Sequence, residues 1–201
     1  MSDEHVRDEL VTLLFAGHET TAISLTWALH CCWANPQVKT RLVNELQSIN
    51  PEQGEDAIAE LPYLTATISE VLRLYPAVPI VARKLVQPFD LLGYTIPAGR
   101  AVGVAIGPLH RSEELYPEPR SFRPERFLER EYTPFECAPF GGGARRCLGA
   151  AFSLYESKLV LAALLSKFEL ELIEKKTPLM ERRNVTLGPK GGVPMRVLAR
   201  K

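Results

Sequence analysis

The chain opens with a long run of apolar and small residues, and shorter patterned segments follow it. Residues 10–34 carry few charges, Ser2 or Asp3 can cap a helix whose first turn is acidic, and Asn35-Pro36 ends the pattern, as is typical of one long helix. Helical spacing of apolar residues predicts two further helices over residues 36–49 and 62–74. Nearly every face of the first helix is apolar or small. We therefore expect it to be buried in the centre of a domain.

Proline changes the pattern in the second half of the chain. Ten of the 16 prolines fall between residues 76 and 139, which excludes long helices there. Short strands are predicted over residues 81–86, 89–91, 100–106, 169–173 and 195–199. A turn over residues 96–99, an irregular meander over 109–139 and a helix over 148–168 complete the prediction. The fold class is mainly α with small β-sheets.

Composition and charge narrow the class of protein. The 201 residues are 46% hydrophobic and 24% charged, which are values of a globular chain. Because 24 basic residues balance 24 acidic ones, we expect no nucleic-acid partner. Residues 10–34 could span a bilayer in length, but His18 and Glu19 near the middle would cost several kcal/mol in hydrocarbon. We therefore expect no membrane segment.

Several familiar motifs are incomplete. The four cysteines form no CxxC pair, which argues against a disulfide framework and a structural zinc site. His18-Glu19 opens an HExxH pattern, but Ala22 stands where the second ligand belongs, and the glycine run at 141–143 lacks the GK[ST] of a phosphate loop. The four histidines are scattered, so the sequence pairs none of them with a nucleophilic Cys147.

Residues 140–149, called the Cys loop below, form a more informative group. Three consecutive glycines allow the backbone to lie against a wide planar group. Cys147 precedes an apolar helix whose N-terminus favours a thiolate, and Arg145 can meet an anionic group. Together these features describe a haem site with a cysteine axial ligand. The alternative is a glycine-rich turn with a buried structural cysteine.

The sequence FGGGARRCLG over residues 140–149 matches FxxGxRxCxG, the haem-ligand signature of the cytochrome P-450 family, at every fixed position. AGHETT over residues 16–21 resembles the oxygen-activating stretch of that family's long central helix. Glu70 and Arg73 resemble its ExxR pair, and residues 124–127 its PERF element. The chain thus resembles the C-terminal portion of the cytochrome P-450 fold: long central helix, ExxR helix, meander, Cys loop and proximal helix. We expect residues 1–201 to be the C-terminal half of one haem-binding domain, with the N-terminal half absent.

The resemblance implies a set of haem contacts, with Cys147 as the axial thiolate to the iron. The residues expected to bind the cofactor are Cys147, Arg145, Phe140, Gly141, Gly143, Gly149, Arg83 and Ala16. Glu19 and Thr20 are expected to be catalytic, as an acid–alcohol pair that relays protons to dioxygen. Gly17 in a helix interior, an acid in an apolar helix and a threonine able to bond back one turn are local violations that mark function. The alternative is a helix kink with an exposed acid.

Glu70, Arg73 and Arg126 are expected to form a structural triad. Glu70 and Arg73 are three residues apart and share a helix face, an arrangement that is most often solvated and worth well under ~1 kcal/mol. The resemblance implies instead a buried triad that locks the meander behind the haem. We assign these residues to structure and haem retention.

The implied function is a haem-thiolate monooxygenase that uses haem b (iron protoporphyrin IX) and O2 on a small hydrophobic substrate. Electrons would come from a donor protein, either a ferredoxin or a flavoprotein reductase, because the chain has no flavin or NAD motif. Ala16, Val78, Ile80 and Val185 match stretches that line the substrate pocket. Localisation is expected to be cytoplasmic. The alternatives are a catalytically inactive fragment, whose apolar surfaces would be exposed, and a haem-thiolate isomerase or sensor.

Overall fold

The computed structural model describes residues 1–50, 52 and 54–201. In this part of the chain the helices are α1 (Asp3–Ala34), α2 (Pro36–Gln47), α3 (Gly54–Ala59), α4 (Pro62–Leu74), α5 (Ile106–Leu109), α6 (Arg126–Glu129) and α7 (Ala150–Lys167). The strands are β1 (Ile80–Lys84), β2 (Phe89–Leu91), β3 (Tyr94–Ile96), β4 (Ala101–Ala105), β5 (Phe168–Leu172), β6 (Met180–Arg183), β7 (Thr186–Pro189) and β8 (Met195–Arg200).

The strands form small antiparallel pairs: β1 with β4, β2 with β3, β5 with β8, and β6 with β7. In register, Ile80 faces Ala105 in the first pair and Phe168 faces Arg200 in the third, where a bulge interrupts the ladder after Glu169. The predicted mixture of helices and small sheets is therefore confirmed. No described helix combines the length and the hydropathy that crossing a bilayer requires.

Helix α1 begins and ends where the sequence indicates, but its burial differs from the prediction. The Ser2 hydroxyl accepts a hydrogen bond from the His5 amide at 3.3 Å, and the Asn35 side chain closes the other end by donating to the Cys31 carbonyl at 2.7 Å. Residues 1–18 are exposed, and burial begins at Glu19. The expectation of a helix buried over residues 10–34 is thus wrong for residues 10–18. An apolar helix is buried only where another element packs against it. No described element packs against these turns, so they remain exposed.

The core lies between the second half of α1 and helices α2, α4 and α7. Trp27 of α1 is fully buried and stacks on Tyr75 with 3.9 Å between ring centroids. Side chains with at most 1% exposure from all four helices complete the centre: Ala28, Cys32, Leu42, Leu64, Val71 and Leu161. Because these helices converge here, the core fixes the ends of α4 and α7 that carry the candidate site.

Helix α4 is fixed at its start by a carboxylate from another helix. It begins with Pro62 and has no side-chain cap of its own. Instead, Glu45 of α2 accepts hydrogen bonds from the amides of Tyr63 and Leu64 at 2.7 and 2.9 Å. This arrangement satisfies two amides that a helix start leaves without partners. It also sets the direction of the helix that carries Glu70 and Arg73.

Some elements differ from the prediction. Helix α3 replaces a predicted loop, and strands β3, β6 and β7 were not predicted, since MERR and TLGP show no alternating apolar pattern. The hairpin turn in this region lies at Leu92 and Gly93, whose φ angles are +53° and +84°. A two-residue turn with both φ angles positive matches the twist of its strands. Residues 97–100 instead connect β3 to β4.

Candidate functional site

The Cys loop is a tight turn closed by its own backbone. The Cys147 amide donates to the Phe140 carbonyl, and the Gly141 amide donates to the Ala138 carbonyl, each at 3.0 Å. Gly141 and Gly143 have φ angles of +67° and +64°, a region that favours glycine. Residues 143–145 make one 3-10 turn, and α7 begins at Ala150. Cys147 therefore lies just before the N-terminus of α7, at the end of a loop that requires glycine for its shape.

Cys147 differs from the other three cysteines in exposure. Its side chain is exposed, whereas Cys31 and Cys32 are buried and Cys137 is half-buried, and all four lie in the described part of the chain. Burial raises the pKa of Cys32 to about 12 and that of Cys137 to about 11, and it raises the pKa of Cys31 well above the ordinary thiol range. Since the thiolate is the form that binds metal, Cys147 is the cysteine suited to a ligand.

The outer side of the Cys loop is open and apolar. A Cβ placed on Gly141, Gly142, Gly143 or Gly149 would meet no atom within 4 Å. Next to the glycines, Leu148 is 92% exposed and Phe152 is 70% exposed, whereas Phe140 packs against the core. A surface of bare backbone and two large apolar side chains beside a free thiol suits a flat apolar ligand.

The two predicted edge cations, Arg145 and Arg83, are exposed. In the described part of the chain neither makes an ion pair with an acidic side chain. Arg145 ends the 3-10 turn of the Cys loop. Arg83 lies in β1 and donates from Nη1 to the Ala82 carbonyl at 2.7 Å. Both guanidinium groups are therefore available to an external anion such as a carboxylate.

The AGHETT turn of α1 lies beside the start of α7. Thr21 Oγ1 and Ser153 Oγ are 3.2 Å apart, which ties the turn to the helix that follows the Cys loop. As predicted, Thr20 bonds back one turn: its Oγ1 donates to the Ala16 carbonyl at 2.7 Å, within a helix that continues unbroken. Glu19 is half-buried, and no hydrogen-bond or ion-pair partner is found for it among the described residues. The acid and the alcohol are thus neighbours, with the acid unengaged.

Glu70, Arg73 and Arg126 are brought together in one buried cluster. Arg73 donates to both Glu70 oxygens, from Nε at 2.7 Å and from Nη2 at 2.8 Å, and Arg126 Nε donates to Oε1 at 3.0 Å. The amide of Arg123 also donates to Oε1, at 2.9 Å. Glu70 and Arg73 are fully buried, and Arg126 is 2% exposed. This geometry is that of a buried, multiply bonded triad and differs from a solvated pair on a helix surface.

The remaining donors of the triad hold the meander through its backbone. Arg73 Nη1 donates to the carbonyls of His110 and Pro119 at 2.7 and 2.8 Å, and Arg126 Nη1 donates to that of Pro117 at 3.2 Å. The ring of Tyr116 lies under the Arg73 guanidinium at 4.8 Å. Two arginines of this cluster thus bind a proline-rich segment whose carbonyls have no strand partners.

His110 has contacts in this region that the sequence did not predict. His110 is fully buried, and its ring nitrogens lie 3.0 Å from the Arg73 carbonyl and 2.9 Å from the Ala138 amide. The sequence gives no local signal for these contacts, because the partners are 37 and 28 residues away.

The predicted pocket residues Ala16, Val78, Ile80 and Val185 are not gathered into one described cavity. Ile80 is 59% exposed and Val185 is 66% exposed. A groove of about 540 Å³ beneath the Cys loop is lined by other residues, among them Phe140, Arg146 and Leu154. One contact brings two of the stretches together, since the Leu187 amide of β7 donates to the Ala77 carbonyl at 2.8 Å.

Comparison with known proteins identifies the family of this chain. The family model described as cytochrome P-450 matches residues 1–194. The chain belongs to the cytochrome P-450 family. It is 39% identical over 196 residues to a Mycobacterium tuberculosis (strain CDC 1551 / Oshkosh) protein provisionally named cytochrome P-450 137, covering 98% of this chain and 39% of that one. It is 31% identical to cytochrome P-450 4c3 of Drosophila melanogaster, covering 100% of this chain and 39% of that one. It is 34% identical to cytochrome P-450 4V2 of Rattus norvegicus, covering 96% of this chain and 38% of that one.

Membership of this family implies a haem cofactor and the use of O2 in general. The residues present fit such a group. The exposed thiol would serve as a ligand to the iron. The open space above the loop glycines, beside exposed Leu148 and Phe152, would accept the face of the ring, and the two cations without acidic partners would bind its carboxylates. The chain spans about two fifths of the length of the curated relatives it matches.

Proposed function

We propose that this chain provides the thiolate side of a haem-thiolate monooxygenase, with haem b as the cofactor and Cys147 as the axial ligand. The observation that carries the proposal is the exposed Cys147 thiol on a glycine loop, whereas Cys31 and Cys32 are buried and Cys137 is half-buried. When bound, haem supplies the reductive activation of O2, so that one oxygen atom enters a C–H bond and the other leaves as water. The tasks left to this chain are binding, orientation and proton delivery.

In this proposal α1 is the long central helix of the fold, α4 the ExxR helix and α7 the proximal helix. Cys147 would ligate the iron, and the backbone of Gly141, Gly143 and Gly149 would lie against the haem face. Arg145 and Arg83 would bind the two propionates as charge-assisted pairs. Phe140 would pack beside the thiolate and Ala16 would face the ring from α1. The exposure of Cys147 and of both arginines supports these roles.

Proton delivery falls to Glu19 and Thr20. The Glu19 carboxyl is half-buried and has no hydrogen-bond or ion-pair partner among the described residues, which leaves its oxygens open to water or a ligand. Thr20 Oγ1 donates to the Ala16 carbonyl and keeps its lone pairs available. A proton taken up at Glu19 would be passed on at Thr20 Oγ1.

Glu70, Arg73 and Arg126 would act at a distance from the chemistry. Their hydrogen bonds to the meander carbonyls support a structural role that keeps the Cys loop in position and the haem retained. We expect the substrate to be a small hydrophobic molecule near Ala16, Val78, Ile80 and Val185. Electrons would come from a ferredoxin or a flavoprotein reductase, and the protein would work in the cytoplasm.

We further propose that residues 1–201 are the C-terminal half of one haem-binding domain. The support is the exposed apolar surface on the first turns of α1, where Leu10, Leu14 and Phe15 are 61%, 71% and 77% exposed. Such a continuous patch is costly in water unless other polypeptide covers it. We therefore expect this chain alone to bind haem weakly and to need the covering polypeptide for turnover.

The test is a haem titration of the 201-residue chain, monitored by quenching of the fluorescence of its two tryptophans. Electron paramagnetic resonance of the ferric complex then reports the ligand of the iron. Wild type and Cys137→Ala are expected to give the signal of thiolate-ligated low-spin iron. Cys147→Ser should lose that signal. A thiolate signal that survives in Cys147→Ser, or that disappears in Cys137→Ala, would overturn the ligand assignment.

A further inference from the structure

His110 lies between the end of α4 and the segment that enters the Cys loop. Its Nε2 is 2.9 Å from the backbone nitrogen of Ala138, which can only donate a hydrogen bond. Nε2 must therefore be the acceptor, and the ring proton lies on Nδ1, which donates to the Arg73 carbonyl at 3.0 Å. The imidazole thus joins the ExxR helix to the loop segment in a defined tautomer.

From Ala138 the hydrogen bonds continue to the candidate ligand. The Ala138 carbonyl accepts from the Gly141 amide, which fixes the turn that gives Gly141 its positive φ. The Phe140 carbonyl then accepts from the Cys147 amide and closes the loop. Two further backbone hydrogen bonds therefore separate the contact made by His110 from the residue that presents the thiol.

At its other end His110 is fixed by the buried triad. Arg73 Nη1 donates to the His110 carbonyl at 2.7 Å, so main chain and side chain of His110 both bind Arg73. Desolvation by burial is the main cause that lowers the pKa of His110 to about 4; the hydrogen bond to the Arg73 carbonyl opposes this shift, and the charges of Arg73 and Arg111 add to it. The ring is neutral at pH 7. A proton on Nε2 would face the Ala138 amide hydrogen with no acceptor between them.

We propose that His110 is a positioning residue that transmits the geometry of the Glu70–Arg73–Arg126 triad to the Cys loop through the Ala138 amide. Its effect on haem rests on the function proposed above, but its effect on the loop does not. In this proposal the hydrogen bonds of Nδ1 and Nε2 position the loop, and the volume of the ring contributes less. A glutamine at 110 can present an acceptor where Nε2 lies, whereas an asparagine reaches only the position of Nδ1.

The experiment compares His110→Asn with His110→Gln in the haem-free 201-residue chain by residue-resolved amide hydrogen exchange. In His110→Asn the amides of Ala138, Gly141 and Cys147 are expected to exchange about tenfold faster, as follows from loss of one hydrogen bond in a series. His110→Gln should restore protection at all three. The amide of Leu170 in β5 serves as a reference that reports whether the remaining fold is intact.

Unchanged exchange at Gly141 and Cys147 in His110→Asn would overturn the proposal, as would a failure of His110→Gln to restore it. If His110→Asn does not fold, His110→Gln decides alone, since loosened Ala138 and Cys147 amides in that variant contradict the proposal. With haem added, His110→Asn should retain it roughly tenfold less well, as for other groups that orient a metal ligand. Absence of haem from wild type as well would count against the proposed function and leave the exchange result to decide the role of His110.

Discussion

The buried triad and the Cys loop treat their polar groups in opposite ways. In the triad, the Glu70 carboxylate accepts four hydrogen bonds, and Arg73 and Arg126 spend their remaining donors on meander carbonyls. In the loop, Cys147 and Arg145 are exposed and have no charged protein partner in the described chain. The difference indicates a division of tasks. The protein satisfies the groups that support the loop from behind and leaves the groups that would meet a ligand unpaired.

Removing the carboxylate at the centre of the triad is expected to have the largest effect on stability. Glu70→Ala leaves two buried guanidinium groups without their counter-charge and is expected to cost roughly 3–5 kcal/mol in the free energy of unfolding. Urea unfolding measures the change. The control is Glu171→Ala, which removes an exposed pair with Arg196 at 3.3 Å and should cost less than about 1 kcal/mol. Equal effects of the two substitutions would show that burial does not set the value of the triad.

Acid should loosen the same region through His110. The folded protein keeps this ring neutral down to a pKa of about 4, whereas the unfolded chain binds the proton near the ordinary value of 6.5. Stability is therefore fully present above pH 6.5 and is lost as the pH falls towards 4, by about 1.4 kcal/mol for each pH unit and about 3 kcal/mol in all. Urea unfolding of wild type and His110→Gln across this range measures it. The buried His30, whose pKa desolvation also lowers, is present in both proteins and cancels. Parallel losses in the two proteins would contradict the prediction.

Substitutions at two adjacent loop glycines can distinguish an effect on the loop conformation from an effect on ligand binding. Gly141 has a φ of +67°, so Gly141→Ala is expected to destabilise the haem-free chain by about 1–2 kcal/mol. Gly142 has an extended φ of −156°, and a Cβ there meets nothing within 4 Å, so Gly142→Ala should leave stability unchanged. If haem lies against the glycines, Gly142→Ala should still weaken haem binding. Thermal unfolding and haem titration of both variants test this, and unaltered haem affinity in Gly142→Ala would place the ligand elsewhere.

The smallest expected change in stability belongs to Thr20→Ala. Its back-bond to Ala16 is local, so the loss should stay within about 0.5 kcal/mol. In a holoenzyme that includes the covering polypeptide, however, the substitution should divert electrons from product to peroxide. Thr26→Ala is the matched control, because Thr26 makes the same 2.7 Å back-bond to Ala22. Unchanged coupling of electron consumption to product would remove Thr20 from proton delivery.

What the sequence could predict were features that repeat locally or sit in a short motif. The caps of α1, the strand at 89–91 and the shared helix face of Glu70 and Arg73 all follow from spacing within a few residues. The Cys loop follows from ten residues in a row. These features depend on local backbone preference, which the sequence carries directly.

The remaining features depend on what lies across the fold. The contact of Glu45 with the start of α4 joins residues 18 and 19 positions apart, and those of His110 join residues 28 and 37 positions apart. The exposure of the first turns of α1 was mispredicted for the same reason, since an apolar helix indicates a need for cover without naming the covering element. Short polar strands such as β6 are formed by pairing, and their composition does not reveal them.

The ligand role of Cys147 can be read directly from the ferrous–carbonyl spectrum of this chain with haem added. We infer that Cys147, supported by the buried triad, presents a thiolate to haem. We expect the red-shifted Soret band of a thiolate-ligated ferrous–carbonyl complex in wild type and in Cys137→Ala, and its absence in Cys147→Ser. A red-shifted band that persists in Cys147→Ser, or a wild-type chain that takes up haem without that band, would contradict the claim.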